Sequence, residues 1–314
     1  MKHMDIILHL GAHRTATTSF HHYMRDQSKG LKAHNVGYWG PGRTRGGLFT
    51  AVLQDPKPVK NRLALRRAKG RVRMQLGKAR QRGAERLLIS DENMIGSSRQ
   101  CLRAGKLYPS VGERVARYAD ALRMRPKRAV LGVRALDLWW ASAAAYTVMR
   151  GHGVPDAETL EAIAQSPRSW QDVITDLACA LPETEIVVAP FEQFAGRPDA
   201  LLTLAAEMPA AREATPRWLN RSADCNALRA LLADAGRDPA RIPEGDGRWQ
   251  PFDEAQIARL RESYADDMHW LIAGADGLAT LAPDPSRSKT GSSLQPGAQT
   301  EGSDDDDRGP QKVA

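Results

Sequence analysis

Cysteine is scarce in this 314-residue chain: Cys101, Cys179 and Cys225 are far apart, odd in number and in no metal-ligand spacing. No disulfide framework is expected; the three read as free thiols in a reducing compartment. Aromatic residues make up only 6% of the chain, and none falls in its most basic stretch, 57–82. That stretch therefore lacks the stacking platforms of single-strand binders. Long apolar runs are missing too. The run Ile6–Leu10 is shorter than a signal-peptide core, and no segment approaches the ~20 residues of a membrane span. A cytoplasmic protein is expected. Acidic residues are outnumbered, 37 against 45 Lys and Arg, for a formal charge of +8. This excess favours anionic partners without choosing among nucleotides, nucleic acid, acidic glycans and lipid heads.

What is present suffices for a large core, since 42% of residues are hydrophobic and the length allows one or two domains. Short apolar runs predict strands at Ile6–Leu10, Val36–Trp39, Arg86–Ser90, Ala129–Val133 and Glu185–Ala189. Helical periodicity fills the gaps at Thr17–Asp26, Lys57–Arg82, Gly112–Arg123, Leu136–Arg150 and Ser169–Leu181. Alternation of this kind predicts an α/β fold with a parallel sheet covered on both faces. Sites in such sheets lie at the carboxyl ends of strands. From about Arg197 the pattern turns helical, clearest at Ala227–Ala235 and Phe252–Ile272. A single α/β domain over 1–282 is expected, followed by a disordered tail over 283–314, rich in Ser, Gly, Pro, Gln and Asp.

The first strand runs into the turn Gly11-Ala12-His13-Arg14-Thr15-Ala16-Thr17-Thr18, and a helix follows. A helix start offers unsatisfied N–H groups and partial positive charge, to which Arg14 adds a permanent cation; the turn reads as a phosphate or sulfate-ester site. It is not a sound kinase loop. In G-x-x-x-x-G-K-[ST], Ala16 stands at the second glycine and Thr17 replaces the lysine. Taken alone, it also suits an ordinary strand–helix connection. Farther on, Arg134 ends a strand and Ser142 follows eight residues later, so a guanidinium fork and a hydroxyl can meet on one anion, although the pair taken alone reads better as a solvated arginine and a helix-surface serine.

Together these elements resemble a bacterial-type sulfotransferase that uses 3′-phosphoadenylyl sulfate. The family's loop H-x-G-x-x-[KR]-T-[GA]-T-[ST] is matched from His9 to Thr18, its arginine-then-serine element by Arg134 and Ser142, and its [YF]-E-x-[LF] turn by Phe191-Glu192-Gln193-Phe194. The resemblance implies a P-loop-type sheet. It gives the turn 11–18 to the 5′-phosphosulfate and Arg134 and Ser142 to the 3′-phosphate, with no metal required. Arg14 replaces the lysine of many members and Ala16 the usual glycine. The Gly-rich adenine-side loop of the eukaryotic branch has no clear copy, Gly245–Phe252 being a distant substitute.

The strand Leu87-Leu88-Ile89-Ser90 ends in Asp91-Glu92-Asn93. Glu92 suits a general base for an acceptor hydroxyl or amine, with His13 and His9 as alternatives. Equally, Asp91 and Glu92 suit the task of holding Arg14 or Arg134. The basic helix packs Leu65, Ala68, Val72, Leu76 and Ala79 and keeps its cations wet; it is either a solubilising insertion or a grip for nucleic acid or an acidic acceptor. Trp139 and Trp140 are expected in the core or an acceptor pocket, and Trp218, Trp249 and Trp270 in the core. The expected reaction is sulfuryl transfer to a small-molecule, glycan or lipid acceptor. The rivals are a nucleotide kinase or NTPase and a non-catalytic nucleotide- or nucleic-acid-binding protein; nucleic acid is the less favoured partner.

Overall fold

The computed structural model describes residues 3–53 and 62–286. The predicted start of the basic helix at 57–61 and residues 287–314 of the predicted tail lie outside them. Six parallel strands form one sheet: β1 (Asp5–His9), β2 (Val36–Trp39), β3 (Arg86–Ser90), β4 (Arg128–Val133), β5 (Glu185–Pro190) and β6 (Thr280–Leu281), in the order β2-β3-β1-β4-β5-β6. The chain is thus α/β, and its five predicted strands are present to within a residue at each end. The sixth, two residues long, leaves no periodic trace.

Side-chain alternation divides the sheet into two cores. Ile6, Leu8, Leu87, Ile89 and Leu131 face the larger one, where the helices Arg62–Gln81, Val111–Leu122, Leu136–Met149 and Trp170–Ala180 pack. Ile7, Leu88, Val130 and Val187 face the smaller one, beneath the helices Thr17–Asp26 and Pro198–Ala206. Burial on both faces is why the strands read as unbroken apolar runs. Helices at Ser98–Ala104 and Ala157–Ala164 were not anticipated, while Pro198–Ala206 lies where the pattern turns helical.

One expectation needs correcting. The chain is not helical throughout beyond Arg197: after the Pro198–Ala206 helix, residues 207–224 form turns and extended segments. Pro209 and Pro216 interrupt that stretch, since proline removes a helix donor and restricts the residue before it. Helical structure resumes at Cys225–Asp234 and Glu254–Ile272. Residues 283–286, assigned to the tail from composition, are described, and the Pro285 carbonyl accepts from Arg197 at 3.3 Å.

Strand order places the site. β1 lies between β3, with Asp5 opposite Arg86, and β4, with Ile7 opposite Arg128. The chain reverses its direction of progress across the sheet at the β1–β4 boundary, which opens a crevice at the carboxyl ends.

Candidate anion-binding cleft

The turn after β1 sits in this crevice. The Leu10 N–H donates to the Val130 carbonyl at 2.9 Å, then the backbone turns through three left-handed residues, Gly11 (φ 45°), Arg14 (φ 65°) and Ala16 (φ 63°). Two glycines are needed. A Cβ on Gly11 would lie 2.9 Å from Thr17 Cγ2; one on Gly132 in β4 would lie 2.9 Å from Thr15 Oγ1. Gly132 thus lets the turn rest on the neighbouring strand, a requirement that sequence reasoning missed. The Thr15 and Thr17 hydroxyls both donate to the Ala12 carbonyl, at 2.6 and 3.2 Å. Thr17 therefore helps to shape the turn, while Thr18 lines the cleft. Ala16 stands at the helix N-cap and supplies no side-chain cap, leaving first-turn N–H groups open toward the cleft.

Arginines from distant segments meet there. Arg14 donates from Nε to Ser142 Oγ at 2.9 Å and from Nη2 to Ser222 Oγ at 3.0 Å, and its guanidinium lies over the Tyr146 ring. Arg134 donates from Nη1 to the Arg14 carbonyl at 2.9 Å and lies 4.5 Å from the Phe191 ring centre. The Arg134 Nε–H is buried with no partner. Arg221 and Arg248 complete the cationic lining, no carboxylate among the described residues lines the cleft, and it encloses about 960 Å³ of empty space including its mouth. Burial, together with repulsion from Arg248 and Arg14, pushes the Arg134 pKa down to about 10. Burial and Arg248 also lower that of Arg14. An anion would relieve both. The expectation set the loop arginine and the Arg134–Ser142 pair in two pockets; the structure brings all three side chains into one.

The arginines are held from behind by groups of the core. Trp170 Nε1 donates to the Arg134 carbonyl at 2.8 Å, and Trp139 Nε1 to the His13 carbonyl at 2.7 Å. Glu192 accepts from the Ala135 N–H at 3.0 Å and from the Tyr264 hydroxyl at 2.9 Å, so it fixes the residue following Arg134. The Phe191–Phe194 turn therefore serves the arginine twice, through a ring and through a carboxylate.

The acidic pair after β3 grips a different arginine from the one expected. Arg45 Nη2 lies 2.7 Å from Asp91 Oδ1 and 2.9 Å from Glu92 Oε1. Thr44 adds a hydroxyl donor to Asp91 at 2.5 Å, and Asp91 accepts from the Asn93 N–H. Neither Arg14 nor Arg134 is held by these carboxylates, and the helix-like run carrying Thr44 and Arg45 gave no sequence signal. Burial raises the Glu92 pKa, but attraction to His21, Arg45 and His13 outweighs it and leaves the group below its ordinary value. Its Oε2 is buried without a partner.

His13 faces this cluster rather than the cleft. Its Nδ1 lies 2.9 Å from the Tyr108 hydroxyl and its Nε2 3.1 Å from Asn93 Oδ1. Since the Asn93 oxygen can only accept, Nε2 carries the proton and Nδ1 accepts from Tyr108. In this arrangement His13 can take a proton only by breaking a hydrogen bond. His9 Nδ1 and His21 Nε2 both meet Ser90 Oγ, at 2.7 and 2.9 Å. Burial lowers the His9 pKa to about 3 and that of His21 to about 4.

Ser222, Arg248 and Trp249 were missed as lining residues because the segments carrying them are joined only by folding: the Cys225 N–H donates to the Gly247 carbonyl at 3.0 Å. The one hint was Gly245–Phe252. Trp139 and Trp140 are core residues, whereas Trp218, expected in the core, is 46% exposed at the cleft. Among the described residues no group of three His, Cys, Asp or Glu side chains could hold a metal ion, and no helix is long and apolar enough to cross a membrane. Comparison with family models, curated proteins and solved structures found no match for this chain.

Proposed function

We propose that the cleft binds 3′-phosphoadenylyl sulfate and that the protein moves its sulfuryl group to a hydroxyl or amine acceptor. The observation that carries this reading is the meeting of Arg14, Arg134 and Ser142 at the start of the Thr17–Asp26 helix, in a cleft lined by no carboxylate among the described residues. A doubly anionic ligand needs two donor sets. The open first-turn N–H groups and Thr18 suit the 5′ side; Ser142 and Arg134, with its unpartnered Nε–H, suit a terminal phosphate. Leu138, Ala141 and Ala145 with Trp218 and Trp249 give adenosine an apolar wall.

The bound ester supplies an activated sulfuryl group. Arg14, carried on the turn and bonded to Ser142, neutralises charge gathering on the departing oxygen, and the turn fixes the line of displacement. Glu92 is the base proposed for the acceptor's proton: it stands behind the cleft lining, with Oε1 tied to Arg45 and a buried Oε2 that has no partner. His13 holds the turn through Tyr108 and Asn93. A kinase reading lacks the loop lysine that reaches the outer phosphates.

Thermal unfolding with adenosine 3′,5′-bisphosphate tests the binding step. The bisphosphate should raise Tm more than adenosine 5′-phosphate does, and Arg134→Ala or Ser142→Ala should remove that excess. A rise with Mg-ATP alone would favour the kinase. Glu92→Gln should keep the bisphosphate shift and lose transfer; undiminished turnover would remove Glu92 from the base role.

A further inference from the structure

A second large hollow lies away from the cleft, along the open edge of the sheet. β2 is an outer strand paired only with β3 among the described residues. Half of its backbone N–H and C=O groups therefore point away from the ladder. The helices Thr17–Asp26 and Ser28–Ala33 flank this edge on one side and Arg62–Gln81 on the other, leaving a groove with about 1460 Å³ of empty space including its mouth. Leu31, Val36 and Leu87 give it an apolar floor.

Its walls carry charge of one sign. Arg25, Lys32, Arg43, Lys78 and Arg82 line the groove, and no carboxylate among the described residues does. Arg43 donates to Gln75 at 2.6 Å and lies over the Trp39 ring, which is itself buried; the other four are exposed. Exposed cations on a strand edge ordinarily repel other strands, and here they exclude a second copy of this chain, which would bring the same five charges. The same field attracts a strand of opposite sign. A single-stranded nucleic acid fits less well, because Trp39 is covered and offers no open stacking face.

We propose that this edge takes an extended acidic segment of a partner protein as an added strand. Ladder hydrogen bonds form to β2, and neighbouring carboxylates, which point to opposite faces of an added strand, meet the guanidinium and ammonium groups on either wall. The site is separate from the cleft and does not depend on what the cleft binds.

Fluorescence anisotropy of a labelled peptide of about ten residues, built of Glu-Glu and Val-Val pairs in turn so that carboxylates face both walls, tests this on the full chain. The peptide should bind at low salt, and Lys32→Glu/Lys78→Glu/Arg82→Glu should weaken it by about tenfold or more. A peptide of the same sequence with every amide N-methylated, which leaves neither edge able to form the ladder, should weaken by a similar factor, a comparison that needs no protein variant. Equal binding of the N-methylated peptide, or tighter binding of an oligonucleotide of equal charge, would reduce the groove to a general polyanion patch and overturn the proposal. So would absence of binding. If binding appears only when Asp304–Asp307 are changed to Asn, the chain's own acidic run is the occupant, and the partner is overturned.

Discussion

Ala16 occupies left-handed backbone, φ 63° and ψ 18°, directly before the Thr17–Asp26 helix. That conformation costs an L-residue about 1–2 kcal/mol, while glycine adopts it freely at an entropic cost of about 0.5–1 kcal/mol. Ala16→Gly should therefore raise stability by up to about 1 kcal/mol in urea unfolding; a lower midpoint would contradict the strain. Gly132 faces the opposite constraint, with Thr15 Oγ1 only 2.9 Å from any added Cβ. In Gly132→Val the strand should persist, since valine favours β structure, but the turn should shift. Expected are near-native far-UV circular dichroism and bisphosphate affinity at least about tenfold weaker (about 1.4 kcal/mol). Unchanged affinity would show that the turn does not depend on this contact. The places of Arg14, Arg134 and Ser142 just beyond a strand or within the helix that follows it were legible from the pattern, but their joint use of one ligand came from the resemblance and not from spacing alone. Arg45 was not, since nothing near it in sequence announces that it will clamp Asp91 and Glu92.

At the scale of elements, what was legible is what has a period. β1 to β5 are buried on both faces and helices such as Val111–Leu122 carry an apolar face, so pattern alone located them. The loop 207–224 and the two-residue β6 have neither property. Packing settled their form, and packing also brought Ser222 and Arg248 to the cleft. Helix ends are set in part by capping, which the periodic reading did not use. Asp253 accepts from the Gln256 N–H at 2.8 Å while Gln256 returns a bond to the Asp253 N–H at 3.1 Å, a capping box at the start of Glu254–Ile272. Asp253→Ala should cost about 1 kcal/mol. Because this helix carries Tyr264, which holds Glu192 behind Arg134, bisphosphate affinity should fall with it; a loss of affinity with no loss of stability would contradict that order of cause.

Across the whole molecule, pH dependence follows from His9 and His21, buried beside Ser90. Burial lowers their folded pKa values to about 3 and about 4, against 6.5 for the free side chain. Between these limits the unfolded chain binds more protons, so stability is fully present above about pH 6.5 and is lost as pH falls toward 4. At about 1.4 kcal/mol per pKa unit the two together account for several kcal/mol. Urea midpoints should fall steeply from pH 7 to pH 5, and His21→Gln should flatten the slope. A flat wild-type profile would show that these side chains protonate without unfolding.

The cleft's preference for a ligand charged at both ends is the claim on which the rest depends, and calorimetric titration with adenosine 3′,5′-bisphosphate and adenosine 5′-phosphate tests it directly. The bisphosphate should bind about 30-fold more tightly or better, a difference of about 2 kcal/mol from the added phosphate. Ser142→Ala or Arg134→Ala should erase that difference while leaving the monophosphate little changed. Equal affinity of the wild-type chain for the two nucleotides would contradict the account.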